Sequence, residues 1–237
     1  MPIFIKGGKN MTILVVVAHP DDEVLGCGAS ISKWSKSGES IHILIMSDGE
    51  SSRNKEVGNK GNYEMILLRE EMAKRSGECL GVESIKFLKF PDNRMDSLDR
   101  LDVIQAIEHE VERLKPSIVV THHYGDVNID HRVVHESVIT ACRPQPNCSV
   151  KQILSFEICS STEWQASGIN NSFQPNWYVD VDKTFESKIN ALNIYSSEMR
   201  EWPHARSIEN IQYLARWRGA SVGCNYAEAF VLLRNIT

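Results

Sequence analysis

The segment Ala18-His19-Pro20-Asp21-Asp22-Glu23 sets one imidazole and three carboxylates within five residues, directly after the apolar run Val15-Val16-Val17. Adjacent carboxylates repel one another and gain little from packing, so a plain solvated turn would more often carry Ser, Asn or Gly. A divalent cation would relieve that repulsion. A hydrolytic metal site takes about three nitrogen and oxygen ligands and leaves a position for water. His19 and Asp22, three residues apart across a tight turn into a helix, could reach one ion while Asp21 points elsewhere. Capping of that helix by Asp21 or Asp22 is the alternative, and residue chemistry alone keeps both open.

A third ligand has to come from another strand end, and His131, at the start of a helix after a polar loop, is the best placed. His135 lies one turn further on, but no glutamate of the metalloprotease type stands between the two, so it is expected to be a helix-face histidine. His122 and His123 end an apolar strand; one is expected to pack and the other to hydrogen-bond the loop. Asp126 and Asp130 fit carboxylates that take the far N–H of a metal-bound imidazole, and equally fit the N-cap of the helix near residue 130. Gly26-Cys27-Gly28 is set aside as a dinucleotide fingerprint, because the helix has already begun and no third glycine follows.

The elements that must carry these residues alternate. Strand patterns at 12–18, 41–46, 85–90 and 117–122 are interleaved with helical patterns at 22–37, 63–80, 98–114 and 130–142. Alternation predicts a parallel sheet with helices on both faces, and such sheets bind ligands outside the carboxyl ends of their strands. The polar stretch 51–62 reads as a loop over those same ends. After Pro144-Gln145-Pro146-Asn147 the strands shorten (152–158, 177–181 and 226–233), with helices at 184–199 and 206–217. This second half is expected to cap the sheet and shape the pocket. No linker divides the chain, so residues 1–237 are expected to form a single α/β domain, Rossmann-like and mostly parallel.

Composition narrows the function classes. With 42% hydrophobic residues, 24% charged and a net charge of -5, the chain is that of an ordinary globular protein without an electrostatic footprint for nucleic acid. The first ten residues are too short and polar for a secretory apolar region, and no apolar run is long enough to cross a bilayer as a helix, so a cytoplasmic protein is expected. Six scattered cysteines without a CxxC pair are expected to be reduced packing residues. A homo-oligomer remains compatible with all of this.

The opening motif and the loop from Asp126 to His131, joined by Leu68-Arg69-Glu70-Glu71, Leu80-Gly81-Val82, Phe90-Pro91-Asp92, residues 188–195 and Tyr226-Ala227-Glu228-Ala229-Phe230, resemble the PIG-L/LmbE-type zinc-dependent de-N-acetylases. The resemblance implies deacetylation of an N-acetylated amino sugar, such as N-acetylglucosamine, or of a sugar conjugate. It implies one zinc held by His19, Asp22 and His131, with Asp21 as general base taking a proton from water that the metal has acidified toward a pKa of about 7. Arg69 matches a family arginine that holds substrate or orients the base; the competing reading is a surface arginine paired with Glu70 or Glu71. One position departs from the family pattern. Asn128 stands where many members carry a histidine, and an amide can donate to an oxyanion but cannot shuttle a proton. The acid role would then fall to Asp21 or to His204, in a loop where Arg206 would contact substrate, unless both residues merely cap the last helix. Glu23 is expected only to open its helix, where negative charge is favourable. Two further readings are an amidase on thiol-sugar conjugates and a zinc-retaining binding protein without turnover.

Overall fold

The computed structural model describes residues 10–52, 60–166, 168 and 172–237. Most of the expected loop at 51–62, and the N-terminal nine residues, therefore lie outside the described residues. Strand β1 (Thr12–Val17) is β-branched and buried from its second residue onward. It lies inside a seven-stranded sheet ordered β3-β2-β1-β4-β5-β7-β6, whose other members are β2 (Ser40–Ser47), β3 (Ser84–Phe90), β4 (Ile118–His122), β5 (Gln152–Phe156), β6 (Trp177–Asp180) and β7 (Ala227–Asn235). Strands β1 to β5 pair in parallel, and β7 runs antiparallel to both β5 and β6. The mostly parallel α/β expectation holds.

The helices are α1 (Asp22–Lys36), α2 (Lys60–Leu80), α3 (Arg100–Leu114), α4 (Ile129–Ala141), α5 (Phe185–Ile194) and α6 (Ile208–Ala220). Period-two alternation along β1 divides the core. Ile13, Val15 and Val17 pack with Val24, Ile31, Trp34, Ala73 and Leu192, whereas Leu14, Val16 and Ala18 pack with Val103, Ile107, Val134 and Val138. Strand β1 pairs with β2 on one side and β4 on the other, so the connectivity reverses between β1 and β4. The crevice at that reversal is where an open α/β sheet binds its ligand, and both candidate loops leave from it.

Two details depart from the periodicity. The helix expected over 184–199 stops at Ile194, and the chain turns so that Glu198 N donates to the Tyr195 carbonyl at 2.8 Å. Helix α1 is broken at Cys27 (φ -148°), which frees backbone groups inside a buried helix. A pair from the second half mends the break. Lys188 Nζ donates to the Leu25 carbonyl at 2.8 Å, and Glu228 accepts from Ala29 N at 3.1 Å and Ser30 N at 2.7 Å. The two side chains are themselves 2.7 Å apart. Beside the break, Gly26 lies against Phe156, whose ring atoms would stand 2.4 Å from an added Cβ. Phe156 is fully buried, so the clash has little room to relax. Gly26→Ala is expected to destabilise the fold by about 1–3 kcal/mol, read as a midpoint several degrees lower in thermal unfolding.

Candidate metal centre and catalytic pocket

The turn after β1 folds back on itself: Asp22 N donates to the His19 carbonyl at 3.3 Å, and His19 N donates to Asp22 Oδ2 at 2.8 Å. From across the crevice, the first turn of α4 delivers His131. His19 Nδ1 lies 3.2 Å from Asp22 Oδ2, and His131 Nε2 lies 3.3 Å from each of them. These three buried atoms form a compact nitrogen, nitrogen, oxygen triangle.

Carboxylates behind the rings decide where their protons sit. His19 Nε2 is 3.1 Å from both Asp92 Oδ1 and Asp130 Oδ2, and His131 Nδ1 is 3.1 Å from Asp126 Oδ2. Each imidazole can therefore donate an N–H from its outer nitrogen to a carboxylate and turn its other nitrogen inward, as a metal ligand does. The carboxylates are anchored in turn. Asp130 accepts from Asn93 N at 2.7 Å and Met95 N at 3.0 Å; Asp126 accepts from Ser161 Oγ, from Thr162 Oγ1 at 2.8 Å and from Asn128 N at 2.8 Å.

His19, Asp92 and Asp130 also lie close enough to share an ion. Their carboxylates, however, are already taken up by these donors and by Ser52 Oγ and Asn93 Nδ2 on Asp92. Asp22, by contrast, contributes Oδ2 to the first triangle and keeps Oδ1 buried with no hydrogen-bond partner, so its carboxylate retains capacity for a cation there. Burial opposes charge on His131, but Asp22 and Asp126 outweigh it and lift its pKa to about 9, so the cluster attracts positive charge as built. Burial likewise works against the Asp22 carboxylate, yet His131 and His122 hold its pKa well below the ordinary range.

The structure revises several expectations about neighbouring residues. The N-cap of α4 is Asn128, whose Oδ1 accepts from Asp130 N at 2.8 Å and His131 N at 3.4 Å. Asp130 and Asp126 are thus not the cap, and Asp130 serves His19 rather than its chain neighbour. His122 both packs and hydrogen-bonds: its ring stacks on His131 at 3.9 Å, and its Nε2 accepts from Ala18 N at 2.9 Å. His135 pairs through Nδ1 with the His122 carbonyl at 2.7 Å and joins no metal grouping among the described residues.

Asp21 stands beside the triangle in a left-handed conformation (φ 111°) that a non-glycine residue adopts only when its surroundings hold it. Glu23 provides that hold. Its Oε2 accepts from Asp21 N at 3.0 Å, and its Oε1 accepts from the Tyr195 hydroxyl at 2.7 Å. Burial, chiefly, lifts the Glu23 pKa to about 8. The expectation that Glu23 merely opens its helix is therefore too small.

The Asp21 carboxylate itself faces two arginines. Arg206 Nη1 is 2.9 Å from Asp21 Oδ2, and Arg69 Nη1 is 3.8 Å away. Arg69 is only 2% exposed and also meets Glu198 at 2.9 Å and Glu50 at 3.3 Å, so it is no surface arginine; Glu70 pairs with Lys89 instead. Burial raises the Asp21 pKa, and Arg206 and Arg69 only partly offset it. A carboxylate so poised is suited to taking up a proton.

His19, Asp21, Arg69, Asn128 and Arg206 share one small pocket of about 80 Å³ with Gly49, Asp92 and Asn93. His204 is not brought to it. Its exposed ring lies in an adjoining cavity, edge-on to Trp164, with Nδ1 accepting from Arg206 N at 3.0 Å. The cap of α6 is Ser207, which sets aside capping by His204 or Arg206. Sequence reasoning gave no role to Asp92, Glu50, Glu198, Tyr195 or Ser161. Glu50 and Asp92 follow the ends of β2 and β3, and Asp92 and Tyr195 fall in segments that carry the family resemblance, which are usable signals; Glu198 and Ser161 come from distant segments with none.

The family described as GlcNAc-PI de-N-acetylase (PIG-L) matches residues 14–142, the span that holds the triangle and its carboxylates. The chain belongs to this family. The uncharacterized deacetylase YaiS of Escherichia coli (strain K12) is 32% identical over 198 residues, covering 81% of this chain and 94% of that protein. The diacetylchitobiose deacetylase of Thermococcus kodakarensis is 30% identical over 231 residues, covering 91% of this chain and 80% of its own length. Among solved structures, the N,N'-diacetylchitobiose deacetylase from Pyrococcus horikoshii superposes with a TM-score of 0.76 at 21% identity, covering 94% of this chain and 84% of that one. The PIG-L fold thus extends past residue 142 into the second half.

Because the Asp22 oxygen faces the triangle and Asp130 stands behind it, the two should differ in their effect on metal. Asp22→Asn is expected to abolish stoichiometric divalent metal after purification, whereas Asp130→Asn should weaken affinity by about 10–100-fold. Elemental analysis and competition with a chromogenic chelator measure both.

Proposed function

We propose that this PIG-L protein is a zinc-dependent hydrolase that removes the acetyl group from an N-acetylated amino sugar or sugar conjugate. The observation that carries the reading is Asp21, a buried carboxylate held between two arginines on the lip of a triangle of inward-facing lone pairs. A zinc ion held by His19 Nδ1, Asp22 and His131 Nε2 would supply Lewis acidity, lowering the pKa of a water toward about 7 and polarising the acetyl carbonyl. Asp21 takes the proton of that water as it adds to the carbonyl carbon. As the C–N bond breaks, Asp21 returns the proton to the amine nitrogen, and acetate and the free amino sugar leave.

Both proton transfers fall to Asp21 because its neighbours cannot make them. Asn128 lines the pocket and is neutral, with its oxygen occupied in the helix cap, so only its amide N–H can be offered to the oxygen that gains negative charge. Arg206 and Arg69 keep the Asp21 carboxylate oriented and counter the effect of its burial. The absence of a proton-carrying side chain at position 128 also supports a second reading, a zinc-retaining binding protein without turnover.

Free amine released from N-acetylglucosamine and from N,N'-diacetylchitobiose, followed with fluorescamine, separates the two. Asp21→Asn is expected to lower kcat by about 10²–10⁴ with metal content unchanged; undiminished release would refute the base assignment. Metal without amine release from the wild type on any N-acetyl sugar favours the binding protein. Asn128→Asp keeps a good N-cap and removes the donor, so thermal stability should hold while kcat falls by about 10².

A further inference from the structure

We propose that the cavity beside the catalytic pocket is a binding site for a second, uncharged pyranose ring, so that the preferred substrate is a neutral glycoside of the N-acetylated sugar. This rests on the deacetylase reading above and deepens it. The argument begins with room. The pocket at His19 and Asp21 holds about 80 Å³, well short of the roughly 300–1,000 Å³ that small-molecule ligands occupy. The adjoining cavity, about 710 Å³, lies within that range. The acetamido group can enter the first space, and the body of the substrate must extend beyond it.

The two spaces share their framework. Thr162, on the cavity wall, donates to Asp126, the carboxylate behind His131. His204 and Ala205 line the cavity immediately before Arg206, whose Nη1 lies on Asp21 and whose Nε donates to Ser160 Oγ at 2.7 Å. In this proposal the substrate extends from Asp21 past Arg206 into the cavity.

Its lining selects the ligand. Trp164, Trp202, Tyr213 and Trp217 all line it, and each exposes more than half of its surface, 57%, 54%, 51% and 61%. Apolar ring faces left open in this way are costly unless something covers them. The rings are held in place before any ligand arrives: Trp202 meets Tyr213 edge-on at 5.7 Å, and the Arg218 guanidinium lies 4.4 Å from the Trp217 ring centre. A pyranose offers an apolar C–H face for such rings and a rim of hydroxyls for the polar groups between them, here Thr162, Glu163 and Asn210. An acyl chain would call for an unbroken apolar wall. An anionic group such as a phosphate or a carboxylate would meet Glu157 and Glu163, and Arg218, beside the cavity, is already bound to Glu157 at 2.6 and 2.8 Å.

The test compares Trp217→Ala and Trp164→Ala with the wild type, after thermal unfolding has shown that the variants fold. The ratio of kcat/KM for N,N'-diacetylchitobiose to that for N-acetylglucosamine should fall about threefold to tenfold in each variant, chiefly through KM. An unchanged ratio overturns the proposal. So does a wild type that prefers a nucleotide-diphosphate-linked N-acetylglucosamine to the neutral dimer. If size-exclusion chromatography shows an oligomer that Trp217→Ala dissociates, the aromatic face belongs to a second copy of the chain and the proposal falls. Tryptophan fluorescence of Asp21→Asn titrated with the dimer reads binding without turnover. A saturable change that Trp217→Ala diminishes supports the site even if no amine is released, an outcome that would sink only the deacetylase reading; no change at all overturns the site.

Discussion

Three lone pairs facing one another across 3.2–3.3 Å are the constraint to which the rest of this molecule answers. Left alone, His19 Nδ1, Asp22 Oδ2 and His131 Nε2 would turn apart or take up protons. They are kept in place by successive layers: the outer nitrogens of the rings are bound by Asp92, Asp130 and Asp126, and those carboxylates by backbone N–H groups and hydroxyls of the 93–95 and 161–162 turns. Buried charges are tolerated only when paired and hydrogen-bonded to this degree. The sheet supplies the rest, since the reversal of connectivity between β1 and β4 brings residues 19–22 and 126–131 to one crevice.

A second assembly holds Asp21, the proposed base, and it draws Tyr195, Glu198 and Arg206 from beyond the first 142 residues. Tyr195 fixes the backbone of Asp21 through Glu23, Arg206 contacts the Asp21 carboxylate, and Glu198 neutralises Arg69 beside it. The shortening of α5 makes this arrangement available. A helix continued to Met199 would carry Glu198 round the helical axis, whereas the turn after Ile194 aims it at Arg69. Asp21 shares a turn with His19 and Asp22, but the side chains that hold it come largely from other stretches of chain than those that hold the triangle.

Much of the fold was legible because apolar periodicity reports burial directly: the alternating strands and helices through residue 142 appear within a few residues of their expected bounds. The His19, Asp22 and His131 grouping was legible because like charges crowded at strand ends call for a counter-ion. Pairings across long separations were not. Nothing in the local chemistry of Glu23 says that Tyr195 will meet it, and nothing at Asp130 says that it will reach over to His19. His204 failed as an expectation for a related reason. A basic, aromatic loop fits substrate contact on composition, but only the turn before Ser207 decides which side chain faces Asp21, and it is Arg206.

The break in α1 and its repair carry a consequence for how such a chain can change over time. The helix that leads away from the His19–Asp22 turn is completed by Lys188 and Glu228, which fill its missing backbone partners from α5 and β7. The segment that carries the family signature is therefore not a module that can be joined freely to a new C-terminal half. Any exchange that brings a different set of aromatic walls must also bring a cation and a carboxylate to those two points. New specificity can accordingly arise residue by residue in the loops around the cavity far more readily than by recombination of whole segments.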